Sequence, residues 1–362
     1  MNDDYDNIEE NISIYFNIVF DFITSLARIE NNQHIDDLKK EYGLSGNPDI
    51  NKWVVDVNNS FNKNQKEKLK FYFEKDNNPA LGLTDYIYKL MLDIDELKID
   101  TFLDNLTEIN THELLSYLLH KGYYGNKDIT VELIDEWINS RNLFNIIDDN
   151  YELSIEGKWN VFKILSKPRE SKKELITLLR YYYNDFYKEE AENVYQFLQN
   201  YCREKETLIK NTVIKFIDNL FANGKSSFNF SKKIEVIPIY FGEMMSITEP
   251  EENYCVIGYR YHEFVDKAFS NINSIEEQAH VFKALGDETR LKILQELLSG
   301  PKYMTELGET LEVSTPTINY HIKKFFNAGL VQIDKAENRI YYKLRKDKLQ
   351  NVIKVMKENY DL

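Results

Sequence analysis

Two cysteines in 362 residues, Cys202 and Cys255, stand far apart. They exclude a disulfide framework and a thiol site with short metal-ligand spacing, and they point to a reducing cytoplasm. Glycine is scarce at 13 residues, so a phosphate-cradling loop has little material. No GxGxxG, GxxxxGK[ST], GxSxG or HExxH occurs, which removes the common nucleotide, nucleophile-elbow and zinc-protease signatures. The expectation is a chain that is no enzyme and carries no cofactor. Unordered pairs among its 60 acidic residues are the route left to an N-terminal enzyme. No apolar run approaches the roughly 20 residues that span a bilayer, and the N-terminus lacks the shape of a signal peptide. A membrane is therefore not an expected partner. Only seven prolines occur and no stretch is rich in Gly and Pro. Any domains should pack together rather than hang on a flexible tether.

What is present is apolar material and unevenly placed charge. Hydrophobic residues make up 43% of the chain, with 25 Tyr and 21 Phe. That is enough for a real core, and the length suits two domains. The net charge of −15 would repel nucleic acid if spread evenly. Residues 274–362, however, hold 14 Lys or Arg against 13 Asp or Glu, and the rest holds 31 against 47. Within residues 314–348 the balance is 8 basic to 3 acidic. A locally basic patch on an acidic body is the footprint of a DNA contact confined to the C-terminal part.

That part has a legible order. Asp287 is a plausible N-cap, and Leu291, Leu294, Leu297 and Leu298 read as one apolar stripe. Gly300-Pro301 stops the helix. A second helix fits residues 304–311, with Met304, Leu307 and Leu311 inward. A short turn follows, as a helix-turn-helix requires. The third helix starts at Ser314 or Thr315, with Pro316 in its first turn. Spacing of 100° per residue puts Ile318, Ile322 and Phe325 on one side. Pro316, Tyr320 and Lys324 lie opposite, flanked by Thr317, Asn319 and Lys323. Asn pairs with adenine, a threonine methyl meets thymine, and Lys reaches guanine or phosphate. A solvated polar face is the competing reading. Two β-rich runs, residues 330–334 and 340–344, enclose a tip with Arg339 and read as a wing.

The segment resembles the DNA-binding domain of the ArsR/SmtB family of bacterial repressors. The resemblance rests on FKALGDETRLKILQELL, STPTINYHIKKFFNAGLV and RIYYKL, about a fifth of the chain. It implies a winged helix-turn-helix at residues 271–362, a homodimer, double-stranded DNA with an inverted-repeat operator, and repression. It further implies that Thr315, Thr317, Asn319, Tyr320 and His321 lie at the DNA-facing end of the recognition helix; with Ser314, Pro316, Lys323, Lys324 and Arg339 from the spacing they make up the candidate DNA face. His321 falls at the border of the buried side, where helix packing competes with a DNA contact. Many relatives sense metal through a Cys-x-Cys in the second helix or His on the last helix. Here the first position reads Lys302-Tyr303-Met304-Thr305-Glu306, and residues 348–360 contain no His. No metal is expected. A winged helix serving protein interaction is the alternative.

Residues 1–270 read as a mostly helical regulatory domain with a small antiparallel sheet near residues 12–16 and 234–259. The whole chain is thus mainly α with small β elements. Residues 12–16 suit a short strand before a helix capped by Asn17, or the start of one longer helix. Pro168 should stop a helix, and Ser171-Lys172-Lys173-Glu174 has capping-box spacing. One long helix is expected at residues 190–221. Tyr181, Tyr182, Tyr183 and Tyr187 form the most unusual run. They are candidates for a small-molecule effector site, with ordinary helix packing as the competing reading. His112 and His120 lie on similar faces and lack further ligands.

Overall fold

The computed structural model describes residues 10–75, 78–120, 129–151, 153–220, 228–229, 232–250, 252–269, 275–336 and 339–360. In order, the described chain forms β1 (Ile12–Ile14), α1 (Ile18–Glu30), α2 (Asn32–Glu41), α3 (Pro48–Ser60), α4 (Lys63–Phe73), α5 (Leu83–Asp93), α6 (Ile99–Glu108) and α7 (Thr111–Leu118). Next come α8 (Val131–Asn139), α9 (Leu143–Asn150), α10 (Ile155–Ser166), α11 (Pro168–Tyr182), α12 (Lys188–Glu204), α13 (Glu206–Leu220), β2 (Ile234–Ile239), β3 (Ser246–Glu249), β4 (Tyr254–Gly258) and α14 (Tyr261–Phe269). The C-terminal part is α15 (Ile275–Leu285), α16 (Glu288–Leu298), α17 (Met304–Leu311), α18 (Thr315–Asn327), β5 (Val331–Ala336), β6 (Arg339–Leu344) and α19 (Lys346–Tyr360).

Helix α1 is the axis of the N-terminal part. Asn17 caps it by accepting from the Val19 N–H at 2.9 Å. Every residue from Val19 to Ile29 is buried, as befits a helix surrounded on all sides. The strand-then-helix reading of the N-terminus is the one observed.

The small sheet has strand order β1-β2-β4-β3. It is not the antiparallel sheet expected from sequence. β1 runs parallel to β2, with Ile12 opposite Ile234, and β2 runs parallel to β4. Only the edge strand β3, unmarked in the sequence reading, is antiparallel to β4. Parallel pairs need long crossovers, and the helical bundle between Ile14 and Ile234 is one. Both central strands are buried almost throughout, the usual condition of parallel strands. Pro238 sits in central β2 without cost. The Ile234 N–H bonds toward β1 and the Glu235 N–H toward β4, so alternation turns the Pro238 nitrogen past the end of β1.

Two helix boundaries differ from expectation. α11 starts at Pro168, not at the Ser171 box. Proline both stops α10 and fills the first turn of α11, where its missing N–H costs little. Ser171 is buried, and its carbonyl accepts from Tyr72 Oη at 2.9 Å. The expected long helix breaks at Lys205 into α12 and α13. The break lets Val194 and Leu198 join the main core while Ile209, Val213 and Phe216 join a second one with the sheet. A third core belongs to the C-terminal part, built from Ile293, Leu297, Leu307, Ile318, Phe325 and their neighbours. In α16 the inward residues are Ile293 and Leu297, whereas Leu291 and Leu298 are exposed. The expected leucine stripe is therefore split across two faces.

Candidate nucleic-acid interface

The turn between α17 and α18 is tight. Glu312 caps α17 in the left-handed region, with φ 54°. A Cβ on Gly308 would lie 2.8 Å from the Val313 carbonyl oxygen, so the helix and turn meet only with glycine there. Ser314 Oγ accepts from the Thr317 N–H at 3.4 Å and lies 2.8 Å from Thr317 Oγ1. Pro316 fills the first turn of α18.

Ile318, Ile322 and Phe325 face the core. Outward stand Ser314, Pro316, Thr317, Tyr320 and Lys323, all exposed, with Thr315, Asn319 and Lys324 half-buried. The structure thus brings nine of the ten expected residues to one helix face or its flanking wing, counting the backbone of Arg339. The side chain of Arg339 lies outside the described residues.

His321 is the exception, being 8% exposed. It packs inside with Nδ1 3.7 Å from Asp287 Oδ1 and is not part of the outer face. Burial holds its imidazole below the usual pKa, which favours the neutral ring.

The wing is a regular hairpin, with Val331 opposite Leu344 and Ala336 opposite Arg339. Lys302 adds a bridge to Tyr342.

Lys324 has an unexpected neighbour. Its Nζ lies 3.1 Å from Glu41 Oε2 at the end of α2 and 5.9 Å above the Tyr320 ring. Beside it, Tyr42 Oη donates to the Asn327 carbonyl at 2.6 Å. Phe326 and Ile333 pack on the second core. The C-terminal end of α18 is therefore seated on the acidic body. Between α2 and the winged helix lies a cleft of about 490 Å³, lined by Asp37, Lys40, Glu41, Lys283, Arg290 and Lys324. Sequence reading missed it because its cations come from four separate helices.

The positions of the relatives' metal ligands do not fit a thiophilic metal. Lys302 is ion-paired with Glu306, and Tyr303 meets Tyr341 edge-on at 5.8 Å. Ammonium, phenol, thioether and one engaged carboxylate are a poor donor set for such ions. Among the described residues, no three His, Cys, Asp or Glu side chains are grouped to hold a metal.

The tyrosine run spans the end of α11, with Tyr181 and Tyr182, and a π-helical turn, Tyr183–Tyr187, that leads into α12. The hydroxyls of Tyr182, Tyr183 and Tyr187 are already engaged within the protein. Tyr182 Oη lies 2.6 Å from Ser25 Oγ, Tyr183 Oη donates to Asp100, and Tyr187 Oη donates to Asp21 at 2.7 Å. The rings of Tyr182, Tyr183 and Tyr187 all surround Phe22. Tyr181 packs on Phe61 and Phe186.

A helix-turn-helix with a tight turn, an outward polar second helix and a following two-stranded hairpin defines a winged helix-turn-helix protein. Residues 287–332 match the family described as "Bacterial regulatory protein, arsR family". The chain belongs to this family through its C-terminal head. It is 28% identical over 105 residues to the cadmium resistance transcriptional regulatory protein CadC homolog of Staphylococcus aureus, covering 28% of this chain and 87% of that protein. It is 34% identical over 77 residues to the transcriptional repressor SdpR of Bacillus subtilis, covering 21% and 86%. It is 32% identical over 80 residues to an arsenical resistance operon repressor of Staphylococcus aureus, covering 22% and 77%. No solved structure gives a significant match.

Proposed function

We propose that the protein is a sequence-specific DNA-binding transcriptional regulator, a dimeric repressor that works without the metal site of its relatives. Residues 271–362 read DNA, and residues 1–270 form the body that senses an effector. The observation that carries this reading is the outward face of α18. Thr317, Asn319, Tyr320 and Lys323 project together from a helix whose other side is locked into the head's core. Relatives named as repressors support the sign of regulation.

A second copy is supported by apolar side chains left on the head's surface. Phe282, Leu291, Leu298 and Ile353 are 40–49% exposed, and a symmetric partner would cover them. Two heads would then meet half-sites one or more DNA turns apart. The same exposed residues favour the second reading, a head used for protein contact alone.

Footprinting on the DNA upstream of its own gene separates the two. The regulator protects an inverted repeat, and Asn319→Ala, Tyr320→Ala and Lys323→Ala combined abolish the footprint. Equal weak binding to every duplex would overturn the regulator reading.

A further inference from the structure

The cleft between α2 and the head is lined by four cations and two carboxylates. Lys40 and Asp37 pair loosely at 3.8 Å on the surface, and Lys324 pairs with Glu41. Lys283 and Arg290 remain on the opposite wall. Arg290 gives one Nη–H to the Lys283 carbonyl at 2.9 Å. Its Nε–H is buried with no acceptor. That atom is closed to solvent, and the Asp287 carboxylate is close enough to interact with the guanidinium, so Arg290 offers the cleft its positive charge and its outer Nη groups rather than this N–H. The volume lies in the range of small-molecule sites, and Arg with Lys is the donor set that suits phosphate.

Resting on the regulator reading above, we propose that this cleft is the effector site and takes a small phosphate-bearing anion. The anion accepts from Arg290 and Lys283 on the head and from Lys40 on the body. It competes with Glu41 for Lys324, which belongs to the outward half of α18. A DNA strand is the poorer occupant, because Asp37 and Glu41 line the same cleft and would repel a continuous phosphate backbone. A compact anion, unlike a continuous backbone, need not run past both carboxylates. Its charge, placed beside the recognition helix, weakens attraction for DNA phosphates. Effector and DNA are then coupled reciprocally.

The test uses the full chain, inorganic pyrophosphate as the probe, and sulfate at equal ionic strength as the control. Calorimetry should show saturable uptake of one pyrophosphate per chain. Lys40→Glu and Lys283→Glu should each weaken it about tenfold or more. Anisotropy with the upstream duplex should show pyrophosphate lowering DNA affinity at least ~5-fold for the native chain. That effect should be absent in Lys40→Glu, whose DNA affinity without pyrophosphate stays native. Equal uptake by the native chain and both variants, or uptake no greater than that of sulfate, would overturn the proposal. So would loss of DNA binding in Lys283→Glu with no pyrophosphate uptake by the native chain, which would make the cleft a DNA-backbone contact. Saturable uptake that depends on Lys40 and Lys283, in a chain that binds no duplex, would support the site and sink the regulator reading instead.

Discussion

The body and the head solve the same packing problem with different materials. The head's core is mostly apolar, and Gln278, His321 and Lys348 are its buried polar members among the described residues. The body's central helix places Asp21, Thr24, Ser25 and Arg28 in the interior with no exposure. Thr24 and Ser25 return their hydroxyls to carbonyls of α1 itself. The charged pair reaches further. Asp21 accepts from the Tyr240 and Phe241 N–H groups at 2.6 and 2.9 Å, fastening α1 to the end of β2. Arg28 lies 3.7 Å from Glu243, which also accepts from Lys39 at 2.7 Å, from Arg260 at 3.1 Å and from the Asn47 N–H at 2.9 Å. Buried charge is costly unless its partners are in place. The body's interior thus tolerates one arrangement of α1, α2 and the β2–β3 connection, whereas the head's interior carries no buried network of ion pairs like the one around Glu243 among the described residues.

The largest test of this contrast removes the shared anion. Glu243→Ala leaves Arg28 and Lys39 buried without it and should cost about 3–5 kcal/mol, read from urea unfolding followed by circular dichroism. An unmoved midpoint would erase the distinction between the two interiors.

Next comes Asp21. Burial pushes its carboxyl from the ordinary 3.8 up to about 6, against the pull of its three donors. The folded state therefore binds this proton more tightly than the unfolded chain does. The associated stability is fully present below pH ~4 and is lost as pH rises to ~6, a change of about 3 kcal/mol relative to Asp21→Asn. Parallel pH profiles of unfolding for the two proteins would show that Asp21 is not the buried acid described.

A smaller effect is expected at the reading face. Asn319→Ala should weaken specific DNA binding by about 1–3 kcal/mol while leaving nonspecific binding nearly native, as measured by competition with unrelated duplex. The smallest concerns the joint between the regions. Glu41→Gln breaks a half-exposed ion pair and should change stability by less than about 1 kcal/mol. A loss of several kcal/mol would show that the pair holds the head in place.

The head was readable because each of its signals is local. The Asp287 cap, the Ser314-x-Pro316 helix start and the Ile318, Ile322, Phe325 side are spaced by the helix's own period, and all three appear. His321 sat where that period is ambiguous, and the nearby α16 decided its burial. Leu291 and Leu298 misled because leucine content was read without the competing Ile293. In the body, Asn17 and the N-terminal strand were legible for the same local reason. The parallel sheet was not, since the pairing of Ile12 with Ile234 leaves no trace in either segment. Nor was the Lys324–Glu41 contact, which joins residues 283 positions apart in the sequence.

The distance between β1 and β2 also sets a timetable on the ribosome. At about 5–20 residues per second, Ile234 emerges roughly 10–45 s after Ile12. Throughout that interval α1, buried on every side in the folded protein, has no sheet to lie against, and the nascent chain is exposed to aggregation and open to chaperones. The head leaves the ribosome after β4. The body's strands thus all precede the head along the chain, and the surface that Tyr42 and Glu41 offer to α18 belongs to the part made first.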